Sequence, residues 1–297
     1  MKPYRSILFV PGHKVGWPEK AAASGTDAVL LDLEDAVPED RKAEARDHTA
    51  EAVDRLRALH PDLGVLVRPN GLESDHHARD VRAAVAGGAH ALLLPMVRTA
   101  RDVVAFDALV TAAEIDAGLP RGTVELIPSL ETAASVLHCD ELAIASPRVA
   151  ALQAAAAEGA DIERDLGFTW TPDGLETLYL RSRAVLACRA HGLRHPLVGV
   201  WQDLRDTAGL AAYARQNRGL GFAGQLVLHP SHVATVNEVY GFRPDEVARL
   251  ERLVTAFEAA EARGDAALNF EGEHIDIAHA RTAREHLHLA ARQNGAS

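Results

Sequence analysis

Carboxylates, an arginine and a histidine recur in this chain directly after short apolar runs. Asp32, Glu34 and Asp35 follow the first residues of AVLLD. Arg68 closes GVLVR and leads into Pro69-Asn70. Pro128-Ser129-Leu130 carries the run VELI on to Glu131. Glu158, Asp161 and Asp165 come after a sixth run, and His229-Pro230-Ser231 after a last one. Carboxylates from two separate strand ends can chelate a hard divalent cation, and Mg²⁺ suits a few carboxylates completed by water and substrate oxygens. Such an ion polarises a carbonyl as a Lewis acid. An arginine beside it can grip a carboxylate through two parallel hydrogen bonds or stabilise the charge of an enolate. The set suits aldol or Claisen cleavage, in which an enolate is the leaving fragment. Any one of these residues alone could equally be a helix cap or a solvated loop residue, and Asp40 and Asp173 are read in that way. His76-His77 is set aside as surface, because adjacent residues do not converge easily on one ion. No HExxH spacing occurs among the 15 histidines.

The elements that must position these groups alternate. Arg5–Val10, Ala28–Asp32, Gly64–Arg68, Ala91–Leu94 and Val124–Ile127 read as buried strands, with further candidates near Val149–Gln153, Leu197–Val200 and Gln225–Leu228. Between them lie helical patterns such as Lys42–Leu59, Arg101–Ala117, Asp173–His191 and Gly209–Leu220, with Gly25, Gly88, Gly192 and Gly221 just past helix ends. Strands alternating with helices imply parallel strands joined by crossovers, and eight such units close into a (β/α)₈ barrel. No GxGxxG follows the first strand, which argues against a doubly wound open sheet. Beyond the eighth unit, Pro244–Arg263 and Ile277–Arg292 read as helices with the polar segment Gly264–Asp276 between them. The expected organisation is one barrel domain over 1–297, with 244–297 as a C-terminal helical extension. In such a barrel chemistry sits at the C-terminal strand ends, where the polar residues above fall.

Composition narrows the partners. With 31 Lys plus Arg against 42 Asp plus Glu, the formal charge is −11, so a nucleic-acid partner is not expected. The first apolar run is too short for a signal-peptide core, and no segment is long and apolar enough to span a membrane. Cys139 and Cys188 show no CxxC spacing and read as buried thiols. A cytoplasmic, soluble protein is expected.

Longer stretches then carry a resemblance. SILFVPGHKVGWPEKAAASGTDAVLLDLEDAVPEDRKAEAR, VRPNGL at Val67–Leu72, LETAASVLHCDELAIASPRVAAL at Leu130–Leu152, DLGFTWTPDGLETLYLRSRAVLACRAHG at Asp165–Gly192, GVWQDLRDTAGL and GFAGQLVLHPSHV resemble, in the same order, the citrate lyase β-subunit group of the HpcH/HpaI aldolase family. The resemblance implies a Mg²⁺-dependent barrel lyase acting on citryl-, malyl- or citramalyl-CoA thioesters. Carried over by position, it implies metal carboxylates at Glu131 and Asp161, with Glu158 as an alternative to the latter. It implies a substrate-binding, catalytic arginine at Arg68, supported by the acidic pair Glu34 and Asp35. It places Pro11, Gly12 and His13 at the substrate. Gly272-Glu273-His274-Ile275-Asp276 resembles a family segment whose aspartate reaches a neighbouring subunit's site, which makes Asp276 a catalytic candidate in trans within a homo-oligomer, commonly a trimer. The chain departs from the family at Met96, where a lysine is usual, in the lengthened loop Ala157–Asp161, and at Glu273-His274 in place of Lys-Met. Rival readings are an aldolase on a free keto acid, an acyl-CoA thioesterase, and a catalytically weakened barrel that binds a metabolite.

Overall fold

The structure, a computed structural model, describes residues 1–293. Eight parallel strands close into a barrel in sequence order: β1 (Ser6–Pro11), β2 (Ala28–Asp32), β3 (Gly64–Arg68), β4 (Ala91–Leu94), β5 (Glu125–Leu130), β6 (Gln153–Ala154), β7 (Leu197–Val198) and β8 (Gly224–Val227). The helices on this unit are α1 (Trp17–Ala22), α2 (Lys42–Leu59), α3 (His77–Gly87), α4 (Ala100–Asp116), α5 (Ala133–Leu137), α6 (Cys139–Ile144), α7 (Asp161–Leu166), α8 (Leu178–Ala190), α9 (Thr207–Leu220) and α10 (Pro230–Tyr240). The fold is the (β/α)₈ barrel that the alternation of runs implies.

Because side chains alternate along a strand, each strand feeds two cores. Leu8, Val10, Val29, Leu31, Val65, Val67, Leu92 and Leu94 pack outward in one large cluster with the helices. Their neighbours Ile7, Ala28, Leu30, Leu66, Ala91, Leu93, Ile127, Leu197 and Leu226 form a separate inner cluster that fills the barrel. Tyr4 closes the N-terminal end of that inner core. A Cβ on Gly64 would stand 2.5 Å from the Tyr4 ring, and one on Gly224 only 2.0 Å from the Tyr4 carbonyl oxygen, so glycine is required at both. Along β2 and β3 the inward parity continues to Asp32 and Arg68, which are register partners.

A buried ion network holds the β5–β6 side of the barrel. Arg148 donates to the Glu114 carboxylate through Nη1 at 2.7 Å and Nη2 at 2.6 Å, and through Nε to Asp107 at 2.6 Å. Glu114, with no exposed surface, also accepts the N–H groups of Gly122 (3.0 Å) and Val124 (2.9 Å). It thereby joins the end of α4 to the entry of β5 and to the segment that precedes β6.

The contacts divide the chain into two compact units, and the second runs from Gly241. It comprises α11 (Pro244–Ala262), an antiparallel hairpin of β9 (Ala267–Phe270) and β10 (Glu273–Asp276), and α12 (Ile277–Gln293), around Leu253, Phe257, Ile275, Ala280 and Ala283. The hairpin stands where the sequence reading has only a polar segment. Its turn has Glu271 at φ 54° and Gly272 at φ 90°, the positive pair that two-residue hairpin loops require. Residues 294–297 of the expected extension lie outside the described residues.

Asp40 and Asp173 are exposed residues and cap no helix, the second of the two readings given to them. Asp40 lies inside a one-turn 3₁₀ segment, Glu39–Arg41, and Asp173 lies in a turn ahead of α8, which starts at Leu178 rather than Asp173. The sixth strand is displaced from Val149–Gln153 to Gln153–Ala154; Val149 forms only an isolated bridge with Leu126. No described helix is long and apolar enough to cross a membrane.

Burial pushes the Glu114 carboxyl upward, but the Arg148 fork and the two backbone N–H groups outweigh it and hold the group below its ordinary range. Its stabilising contribution is therefore present above the ordinary glutamate pKa and is lost as the pH falls through the lower folded value. Glu114→Ala leaves Arg148 buried without its main partner, and the expected loss at neutral pH is about 3–5 kcal/mol, the usual cost of breaking a buried pair. Urea unfolding of both proteins at pH 7 checks this; a loss below 1 kcal/mol, roughly the value of a surface pair, would contradict it.

Candidate active site

The C-terminal strand ends open into a cavity of about 510 Å³. Asp32, Asp35, Arg68, Glu131, Gln153 and Asp161 contribute its polar wall, and Phe9, Leu93, Val200 and Leu226, the top of the inner core, its apolar wall. Among the described residues that line it, Arg68 is the one cation.

Arg68 is clamped. Its Nε and Nη2 each donate to Asp32 at 2.7 Å, Nη1 lies 2.9 Å from Glu34 Oε2, and the guanidinium carbon stands 5.2 Å from the centre of the Phe9 ring. Asp32 in turn accepts the N–H groups of Glu34 (3.0 Å) and Ala36 (3.2 Å), which shapes the loop after β2. A second network holds that loop from below. The buried Lys42 ammonium donates to the carbonyls of Leu33 (3.0 Å) and Glu34 (2.9 Å) and to Asn70 Oδ1 (2.7 Å), and Asn70 donates to Asp80. Burial, with Glu131, Asp35 and Asp32 adding to it, pushes the Glu34 carboxyl up to about 8 against the opposing pull of Arg68.

Glu131 follows β5 and is buried, 7% exposed, with its carboxylate facing the cavity. Met96 donates its backbone N–H to Glu131 Oε2 at 3.4 Å. Burial raises the Glu131 carboxyl, and nearby Asp161 adds to the rise. Asp161 opens α7 at the cavity edge, with Oδ1 2.5 Å from Arg164 Nη2. Glu158 is exposed and does not line the cavity, so the geometry favours Asp161 over it. Among the described residues no group of three or more His, Cys, Asp or Glu is placed to hold a metal alone. Two carboxylates of mutually unfavourable charge beside open space fit Mg²⁺, which takes its remaining ligands from water and substrate.

The other expected residues separate. Pro11 and Asp35 line the cavity, Glu34 acts on it through Arg68, and Gly12 and His13 do not line it. Gly12 continues the ladder by donating to the Asp32 carbonyl at 2.8 Å, and His13 is buried. Met96, at φ 51°, places its side chain in a separate small pocket with Leu72 and Phe106, so its contribution toward Glu131 is a backbone amide. His76 bonds Glu39 and Arg46. Asp276 ends β10 and caps α12, its Oδ1 accepting the N–H of Ala278 at 3.0 Å and lying 2.7 Å from His279 Nδ1. The sequence reading places Asp32 among the carboxylates after the second run but gives it no role, and it does not single out Gln153; strand parity marks both, since they share a face with Leu30 and Ala151 of the inner core.

The model of the HpcH/HpaI aldolase/citrate lyase family matches residues 5–230. The chain belongs to this family. An L-malyl-CoA/beta-methylmalyl-CoA lyase from Cereibacter sphaeroides is 37% identical over 300 residues, covering 93% of this chain and 91% of the relative. A (3S)-malyl-CoA thioesterase from the same organism is 34% identical over 291 residues, covering 96% and 94%. Among solved structures, CitE from Mycobacterium tuberculosis in complex with magnesium, acetoacetate and coenzyme A superposes with a TM-score of 0.73 at 28% identity, over 96% of this chain and 97% of that one.

The raised pKa of Glu34 has a signed consequence. Between its ordinary value of 4.5 and about 8 the folded state holds a proton that the unfolded state has lost. Stability contributed by the protonated form is therefore complete below the ordinary value and is lost as the pH rises through the folded one. In metal-free buffer the Glu34→Gln protein is expected to lose less stability between pH 5 and pH 8 than the wild type. Parallel slopes in urea titrations across that window would show that Glu34 is ionised in the native state throughout.

Proposed function

We propose that the protein is a Mg²⁺-dependent carbon–carbon lyase that cleaves or forms a 3-hydroxyacyl-CoA thioester of the malyl, citramalyl or citryl type. The observation that carries this reading is the meeting, at one barrel mouth, of Glu131 and Asp161 with an arginine immobilised by Asp32 and Glu34. The likeness to a malyl-CoA lyase and to a CitE complex with magnesium and coenzyme A supports the substrate and metal classes.

Glu131 and Asp161 would hold Mg²⁺, which when bound supplies Lewis-acid polarisation of the substrate oxygens and neutralises charge that develops on them. Arg68 binds the substrate's carboxylate or carbonyl with the N–H bonds that Asp32 and Glu34 leave free. Because the clamp fixes the guanidinium beforehand, that donation needs no reorganisation as an enolate forms. Asp35 and Glu34 support Arg68 and metal-bound water. Phe9, Leu93, Val200 and Leu226 keep water from the reacting fragment, which strengthens each charged contact. Pro11 borders the substrate, with Gly12 and His13 shaping the strand end behind it. The protein acts in the cytoplasm as a homo-oligomer, a trimer, in which 244–297 extends the barrel domain and carries Asp276 to a neighbour's site for proton transfer.

A panel of malyl-, β-methylmalyl-, citramalyl- and citryl-CoA, with and without Mg²⁺, tests the activity. A lyase releases an oxo acid and leaves a shorter thioester intact, whereas a hydrolase releases free thiol. The hydrolase outcome is the second reading, favoured by the 34% identity to a (3S)-malyl-CoA thioesterase. Oxo acid without free thiol, dependent on Mg²⁺ and abolished in Glu131→Gln, is expected; turnover indifferent to Mg²⁺ would reject the mechanism.

Mixing two inactive proteins tests the shared site. If Asp276 serves a neighbour, Asp276→Ala and Glu131→Gln subunits form some intact sites, and activity partly returns after subunit exchange. Asp276 also caps α12, and a mixture that stays inactive despite exchange would leave it that role alone.

A further inference from the structure

The two carboxylates assigned to the metal come from different loops, and strand geometry does not fix the distance between them. Glu131 follows β5 directly, ahead of Thr132, whose hydroxyl caps α5. Asp161 lies on a longer excursion beyond the two-residue strand β6, at the first turn of α7. The excursion is braced within itself: Glu163 accepts the N–H groups of Gly159 (2.6 Å) and Trp170 (3.2 Å), and the Tyr213 hydroxyl donates to the Ala156 carbonyl. None of these bonds reaches the loop that carries Glu131.

One bond does. Asp165, a helical turn beyond Asp161, accepts the backbone N–H of Ala133 through Oδ2 at 2.6 Å. Ala133 is two residues past Glu131 and begins α5, where N–H groups have no partner inside the helix. Asp165 thus spans from the helix of one carboxylate to the loop of the other, while its own residue is exposed and does not line the cavity. Ile162 anchors α7 in the outer core, and the Asp165 link adds the one described hydrogen bond from α7 to the start of α5, so relaxing it would let Asp161 shift relative to Glu131 about that anchor.

We propose that Asp165 is a positioning residue that sets the separation of Glu131 and Asp161, and so the affinity of the site for a divalent cation, without touching the ion. This rests on the reading that Glu131 and Asp161 bind the metal. The link needs an oxygen acceptor at position 165 rather than a charge, so asparagine should serve and alanine should not.

Binding of Mn²⁺, which takes the same oxygen donors as Mg²⁺, is followed by loss of the free-ion electron paramagnetic resonance signal for wild type, Asp165→Ala, Asp165→Asn and Glu131→Gln. Urea midpoints are recorded alongside. Asp165→Ala is expected to bind Mn²⁺ about 10–100-fold more weakly, the usual effect of losing a residue that orients a metal ligand, and Asp165→Asn to recover most of the affinity. A purely structural cap on α5 would lower the urea midpoint without this pattern. Wild-type affinity in Asp165→Ala, or equal loss in the alanine and asparagine variants, overturns the proposal. Glu131→Gln separates the two failures: if it binds Mn²⁺ like wild type, the ligand assignment itself falls and the proposal with it. If it loses the ion while Asp165→Ala does not, only the role of Asp165 is wrong.

Discussion

The arrangement of this barrel's mouth follows from a charge imbalance. Asp32, Glu34, Asp35, Glu131 and Asp161 converge around a single arginine, and two of them, Glu34 and Glu131, are buried enough for their carboxyls to be raised. Arg68 cannot neutralise them all. It is spent mainly on Asp32, by a two-bond fork, and on Glu34. Glu131 and Asp161 are left with weaker donors, the Ser129 side chain and the Met96 amide for the first and the exposed Arg164 for the second. Carboxylates placed in this way beside open space fit a small cation of high charge density.

Holding such a set together requires rigidity from elsewhere, and the structure supplies it in layers. The inner barrel core fixes where the strand ends lie. The Lys42, Asn70 and Asp80 bonds fix the loop after β2 against the loop after β3. The Arg148–Glu114 pair fixes the entry to β5, and with it the course of the strand that ends at Glu131. Polar groups buried away from the mouth are thus tied to it through the strands they anchor, and each is costly to remove because its partner would remain buried.

Much of this was legible in the sequence, for physical reasons. Five of the strands are short runs of buried aliphatics, and a polar residue closing such a run in a parallel barrel has little choice but to face the mouth; Arg68 and Glu131 were read in that way. The period-two rule, applied one step further, also selects Asp32 and Gln153, which share a face with the inner core. What stayed hidden depends on contacts distant in sequence. Nothing local tells that Asp165 meets Ala133, or that Met96 acts through its amide and not its side chain. The sixth strand was misplaced because the alanine-rich stretch 150–157 has no periodicity to mark an end. The β9–β10 hairpin was missed because Glu271 stands at a turn position more often filled by asparagine, aspartate or glycine.

The seating of Tyr4 against Gly64 and Gly224 makes the barrel a blind vessel. Its base is plugged, so Arg68 is reached from the side of the C-terminal strand ends. Phe9 and Leu93, at the top of the filled inner core, are therefore the floor on which any ligand of this cavity rests.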